Sequence, residues 1–144
     1  MQEVQAALTR LIQLFETLTP QTVPLLATVY APEARFKDPF NEIGGRAAIL
    51  ALFDHMYAQL REPRFVVSSR IAQGHQAFLV WELHFRFPRW PEQPRIIRGA
   101  THLRFGADGL VLLHRDYWDA AEELYEQVPL LGALMRLLKR RARR

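Results

Sequence analysis

The sequence predicts an α+β fold, with helices covering one concave face of a strongly curved sheet, and three observations predict it. Apolar residues recur at three- and four-residue spacing through the first 61 positions, they alternate with polar ones after Pro63, and a GADG turn joins the last two alternating runs. Val4, Leu8, Leu11, Ile12, Phe15 and Leu18 share one face of a first helix. Thr19 and Pro20 end it, because proline has no N–H with which to continue the ladder. Pro20 to Tyr30 fits a second, short helix. The run APEARFKDPFNEIGG then reads as an irregular connection with a short strand around Ala34 to Lys37. Gly44 and Gly45 stop it before a third helix, Arg46 to Arg61, in which Ile49, Leu50, Phe53, Met56, Tyr57 and Leu60 repeat at helical spacing.

RFVVSSRIAQGHQAFLVWELHFRF holds two strand-like runs around a Gly-containing turn. In the second run Leu79, Trp81, Leu83, Phe85 and Phe87 share one face and Val80, Glu82, His84 and Arg86 the other. PRWPEQP is turn-rich, and RIIRGATHLRF and LVLLHRDYW form the third and fourth runs of an antiparallel meander.

At 144 residues and 49% hydrophobic content the chain is one domain whose core needs no covalent staple. With no cysteine there is no disulfide, thiolate nucleophile or cysteine-bound zinc. The first ten residues lack the apolar core of a signal peptide and no later run approaches 18 apolar residues, so a cytoplasmic protein is expected. His55, His75, His84, His102 and His114 include no HExxH, and neither GxGxxG nor GxxxxGK[ST] is present. No metal and no cofactor are expected.

Charge divides the chain. Up to Glu126 there are 13 basic and 15 acidic side chains, whereas residues 127–144 carry six basic and no acidic ones. Residues 1–126 are therefore read as the domain and 127–144 as an amphipathic, basic C-terminal helix or tail. Leu130, Leu131, Leu134, Leu137 and Leu138 form its apolar stripe, next to Lys139, Arg140, Arg141, Arg143 and Arg144. One reading docks this helix on its own domain or on a second copy. Another makes Leu134, Leu138, Lys139, Arg140 and Arg141 a peripheral membrane or partner contact. Nucleic acid is not expected as a partner, because the rest of the chain is slightly acidic and shows no basic face with interleaved aromatics.

Two places carry candidate chemistry. Asp38, between aromatics in FKDPF, could act as a base toward a proton next to a carbonyl, although Asp-Pro is also ordinary turn chemistry. In HRDYWD, His114 and Asp116 share a strand face that excludes Tyr117, so the carboxylate could orient the imidazole and favour its protonated form; a plain polar cluster fits equally. Thr101 shares a face with Gly99, which leaves room beside it. Glu82 and His84 fall on the opposite face from Trp81, a surface position.

The segments VYAPEARFKDPFNEIGGRAAILALF and RIIRGATHLRFGADGLVLLHRDYWD resemble the nuclear transport factor 2-like (NTF2-like) superfamily, in its ketosteroid-isomerase-like and SnoaL-like polyketide-cyclase-like branch. The resemblance runs from about Val4 to Tyr125. It implies a cone-like fold, with three N-terminal helices on a mixed, mostly antiparallel sheet around a pocket, and a homodimer formed through the sheet. Asp38 in ARFKDP matches the steroid isomerases' base, Thr101 before HLRF stands where they place an oxyanion acid, and Leu14 and Phe15 stand where they place an oxyanion tyrosine. No complete Asp-Arg-Asp set of the epoxide-hydrolysing relatives can be placed on Arg98 and Asp116, while His114 and Asp116 resemble the cyclases' His-Asp pair.

The expectation is thus a cofactor-independent acid/base enzyme of isomerase or cyclase type, acting on a small hydrophobic carbonyl or polyketide-like molecule. Asp38 would be the base and His114, oriented by Asp116, the proton donor. Phe15, Tyr30, Phe40, Phe53, Tyr57, Trp81, Thr101 and Trp118 would line the pocket. The alternative is a non-catalytic ligand-binding or protein-interaction module. If the enzyme reading holds, Asp38 and the His114–Asp116 pair are expected to point into one cavity.

Overall fold

The apolar stripe of the first helix is buried along α1 (Gln2–Glu16) in the computed structural model, which describes residues 2–124 and 137–142. Leu8 and Leu11 are fully enclosed. Each such side chain removed from water contributes up to about 1.5–3 kcal/mol. The second helix is a 3-10 helix, Val23–Thr28, with a proline at its start, and it plugs Val23 and Leu26 into the core. The third, α2 (Arg46–Gln59), ends two residues before the expected Arg61 and buries Ile49 and Phe53. Gly45 precedes it at φ 97°, a left-handed conformation that a side chain would strain.

Six strands follow the order β2-β1-β6-β5-β4-β3 in one open sheet. They are β1 (Tyr30–Lys37), β2 (Glu42–Gly44), β3 (Arg61–Gln73), β4 (Gln76–Phe87), β5 (Trp90–Phe105) and β6 (Val111–Tyr117). β3 to β6 are the antiparallel meander, β1 and β2 are antiparallel, and β1 joins β6 in parallel, so the sheet is mixed. Register shifts interrupt the β1–β6, β3–β4, β4–β5 and β5–β6 ladders. Such bulges bend strands and increase their twist, which is how one face becomes concave. On β4, Leu79, Trp81, Leu83 and Phe85 are buried on that face while Phe78 and Val80 are exposed on the other. α1 and α2 cover the concave side through β3 and β1.

Three expectations are corrected. β1 begins at Tyr30, four residues earlier than the strand expected around Ala34, and the segment read as irregular also contains β2. PRWPEQP is not simply a turn, because β5 starts within it at Trp90. Its prolines Pro91 and Pro94 fall between the paired positions Phe87↔Trp90 and Phe85↔Arg95, where the ladder is irregular and asks no N–H of them.

After β6, Asp119 accepts hydrogen bonds from the N–H groups of Ala121 and Glu122 and caps a short helix, α3 (Ala120–Glu123). Helical backbone is present again over 137–142, with Leu137 and Leu138 exposed. Leu134, Leu130 and Leu131 lie outside the described residues. No helix among the described residues is long and apolar enough to cross a membrane.

Candidate functional site

Cross-strand register brings the site together. On the concave face Trp81 of β4 stands opposite Gly99 of β5, and Thr101, two positions along, stands opposite Asp116 of β6. A Cβ at position 99 would lie 2.6 Å from Cζ2 and Cη2 of Trp81, so only a glycine lets the indole lie across β5. The indole then reaches Thr101. Trp81 Nε1–H donates to Thr101 Oγ1 at 2.7 Å, and Thr101 Oγ1–H donates to Asp116 Oδ1 at 2.6 Å.

From the other side, His114 Nε2 lies 2.7 Å from the same Oδ1. Tyr30 Oη lies 2.7 Å from His114 Nδ1, across 84 positions of sequence. Burial, reinforced by the negative charge of Asp116, pushes the Tyr30 phenol well above its ordinary range, so it keeps its proton. Tyr30 Oη and Asp116 Oδ1 thus hold the two ring nitrogens of His114 from opposite sides and fix the orientation of the imidazole. Phe15, Tyr30, Phe36 and Phe53 pack around the ring with centroids at 4.7–6.5 Å.

Both hydrogen bonds to Asp116 fall on Oδ1, so its Oδ2 carries the uncommitted lone pairs of the site. Asp116 also lines two spaces. One is an inner cavity of about 20 Å³ enclosed by Phe15, Phe53, Phe65, Val67, Leu79, Trp81, Thr101 and His114, which is room for about one water molecule. The other is an open cleft of about 570 Å³ beyond the strand ends, lined by Lys37, Asp38, Pro39, Arg115, Tyr117, Trp118 and Asp119. Asp116 is the common member of the two linings.

Of the residues expected at the site, Phe15, Phe53, Trp81, Thr101, His114 and Asp116 meet at the inner cavity. Asp38 does not; it shares only the outer cleft with Asp116. Its Oδ1 accepts from the N–H groups of Phe40 (2.8 Å) and Asn41 (2.7 Å), and Asn41 Nδ2 reaches both carboxylate oxygens, so the side chain closes a turn. Phe40 is 53% exposed and packs edge-on against Trp118 at the outer cleft, so neither lines the cavity. Tyr30 lies behind the imidazole instead of facing the cavity. Tyr57 is also outside the lining; its hydroxyl is buried with no hydrogen-bond partner among the described residues, and burial with the nearby Asp54 raises its pKa, so it holds its proton. The sequence reading missed Phe65, Val67 and Leu79 as lining residues. Leu79 carried the same signal as Trp81, two positions away on one strand face. Among the described residues no cluster of His, Asp and Glu is arranged to hold a metal ion.

Tyr30 makes the site sensitive to alkali. In the unfolded chain a phenol ionises near pH 10. The folded protein holds this proton to higher pH, so the stability involved is fully present below about pH 10 and is lost as pH rises toward the folded value. Tyr30→Phe is expected to cost about 1–3 kcal/mol at pH 7, by leaving the buried His114 Nδ1 without its hydrogen-bond partner. It should also flatten the loss of stability above pH 10, and urea melts of both proteins at pH 7 and 10.5 check this.

A search with protein-family models matches residues 11–114 to the SnoaL-like domain. Among solved structures, a nuclear transport factor 2-like protein of unknown function from Burkholderia pseudomallei superposes with a TM-score of 0.73 at 16% identity, covering 85% of this chain and 95% of that one. A Catenulispora acidiphila protein with a ketosteroid-isomerase-like fold, solved with trimethylamine, gives 0.72 at 17% identity, with 86% and 92% covered. A candidate SnoaL-like polyketide cyclase from Shewanella denitrificans gives 0.70 at 19% identity, with 88% and 96% covered. These likenesses establish the fold. A search of curated proteins found no match.

Proposed function

The chain belongs to the SnoaL-like domain family, and on that premise we propose that it is a cofactor-independent acid/base enzyme whose proton-carrying group is Asp116. The observation that carries the reading is the hydrogen-bonded chain Tyr30–His114–Asp116–Thr101–Trp81, which fixes one carboxylate oxygen of a residue that also lines an open cleft. Asp116 Oδ2 would take a proton from a carbon next to a carbonyl. The C–H electron pair moves into the new C=C bond and the carbonyl oxygen becomes an enolate, which regains a proton at the same or a conjugated carbon. Lys37 and Arg115 line the same cleft and supply positive charge for that oxygen. Pro39, Tyr117 and Trp118 offer apolar surface to a small hydrophobic ring. His114, Tyr30, Thr101 and Trp81 are positioning residues, acting through the carboxylate.

The test is deuterium exchange at the α-carbons of cyclic ketones such as 2-tetralone in D₂O, read by mass spectrometry. The wild type should accelerate exchange. Asp38→Asn should stay within about threefold of it, because the amide oxygen still accepts the N–H bonds that close the turn, while Asp116→Asn should lose the activity. No acceleration across the ketone panel, or equal rates with Asp116→Asn, would refute the reading.

The small volume of the inner cavity favours a second reading, a non-catalytic module acting through its surface. Its observation is the outer sheet face, where Ile71 is paired with Phe78, and Val80, Ala100 and Tyr117 form the adjoining row. Ile71, Phe78, Val80 and Tyr117 are all exposed. Within either reading this apolar face suits a homodimer. Sedimentation equilibrium should give twice the chain mass for the wild type and the single-chain mass for Val80→Glu; a wild-type monomer refutes the dimer.

A further inference from the structure

We propose that the cationic helical segment at 137–142 holds the protein on an anionic lipid surface. Leu137 is 41% and Leu138 52% exposed, and the helix continues directly into Lys139, Arg140 and Arg141. Half-exposed leucines next to a run of cations are what an interfacial helix presents: the apolar side chains enter the acyl boundary and the charges meet the headgroups. Charge complementarity selects the occupant. Residues 127–144 hold six basic and no acidic side chains, while the rest of the chain is net negative, so an anionic surface attracts this segment and repels the remainder.

A nucleic acid fits less well. Its phosphates would use the cations but not the leucines, and residues 127–144 contain no aromatic side chain on which a base could stack. The inference depends neither on Asp116 nor on its cavity. It would place a protein that takes apolar small molecules where such molecules collect.

The test is co-sedimentation of the full chain with vesicles of phosphatidylcholine alone or with 30% phosphatidylglycerol, at 0.1 M salt. Wild-type protein should pellet with the anionic vesicles only, and 0.5 M NaCl should release it, a readout that needs no substitution. Replacing Lys139, Arg140 and Arg141 by Gln should weaken anionic-vesicle binding about 100-fold. Leu137→Ser with Leu138→Ser should weaken it by at least about tenfold. Equal pelleting with both vesicle types, no pelleting, or full binding by the leucine variant would overturn the proposal. Tighter binding to a 20-nucleotide single-stranded RNA than to anionic vesicles would also overturn it, in favour of a nucleic-acid partner.

Discussion

Asp116→Asn is expected to lower the rate of α-proton exchange by about 10²–10⁴-fold, the usual contribution of a positioned acid/base group. The amide keeps the shape of the carboxylate, and its oxygen can still accept from His114 Nε2 and Thr101 Oγ1 at 2.7 and 2.6 Å. The fold should therefore survive with a change of no more than about 1 kcal/mol, so lost exchange reports lost chemistry. His114→Gln separates position from chemistry. With the base retained but less firmly held, it should reduce kcat more than it alters KM, and a variant that melts like the wild type yet leaves kcat unchanged would remove His114 from the mechanism.

A stability effect as large as that of Tyr30→Phe is expected at Gly99. In Gly99→Ala the new methyl would sit 2.6 Å from two carbons of the Trp81 ring. That ring cannot drift away without cost, because it donates to Thr101 and packs edge-on against Phe65 at a centroid distance of 6.0 Å. Overpacking of this kind costs about 1–3 kcal/mol. In a chain of this length that corresponds to a fall in Tm of about 3–10 °C, readable by calorimetry. Trp81→Phe removes the atoms that collide, so in that background Gly99→Ala should cost much less. Equal cost in both backgrounds would show that the contact does not govern the position.

Local periodicity made most of the fold legible. The stripe on α1 and the alternation on β4 needed no partner to be read, since each element's own spacing tells which side meets the core. The pairing of β1 with β6 was not legible from spacing, because a parallel partner some 80 positions away leaves no local mark. The site divides in the same way. His114 and Asp116, two apart on one strand, could be seen from their spacing. Tyr30 could not be assigned to the imidazole, and that contact holds the ring nitrogen that faces away from Asp116. Asp38 misled because a carboxylate between aromatics looks the same in sequence whether it faces a cavity or accepts hydrogen bonds from Phe40 and Asn41. Gly99 was read as leaving room, and the room is filled by the residue across the ladder.

The parallel β1–β6 pairing also sets a schedule for biosynthesis. At about 5–20 residues per second, the 84 positions between Tyr30 and His114 take a ribosome roughly 4–17 s to add. Through that interval the nascent N-terminal half can form its helices and the β1–β2 hairpin, but one edge of β1 waits for a strand not yet made. Non-local pairings of this kind are the slow ones to close. The Tyr30–His114 contact thus assembles among the last features of the molecule, and slowing translation between β2 and β6 would lengthen the exposure of that edge to chaperones and to other nascent chains.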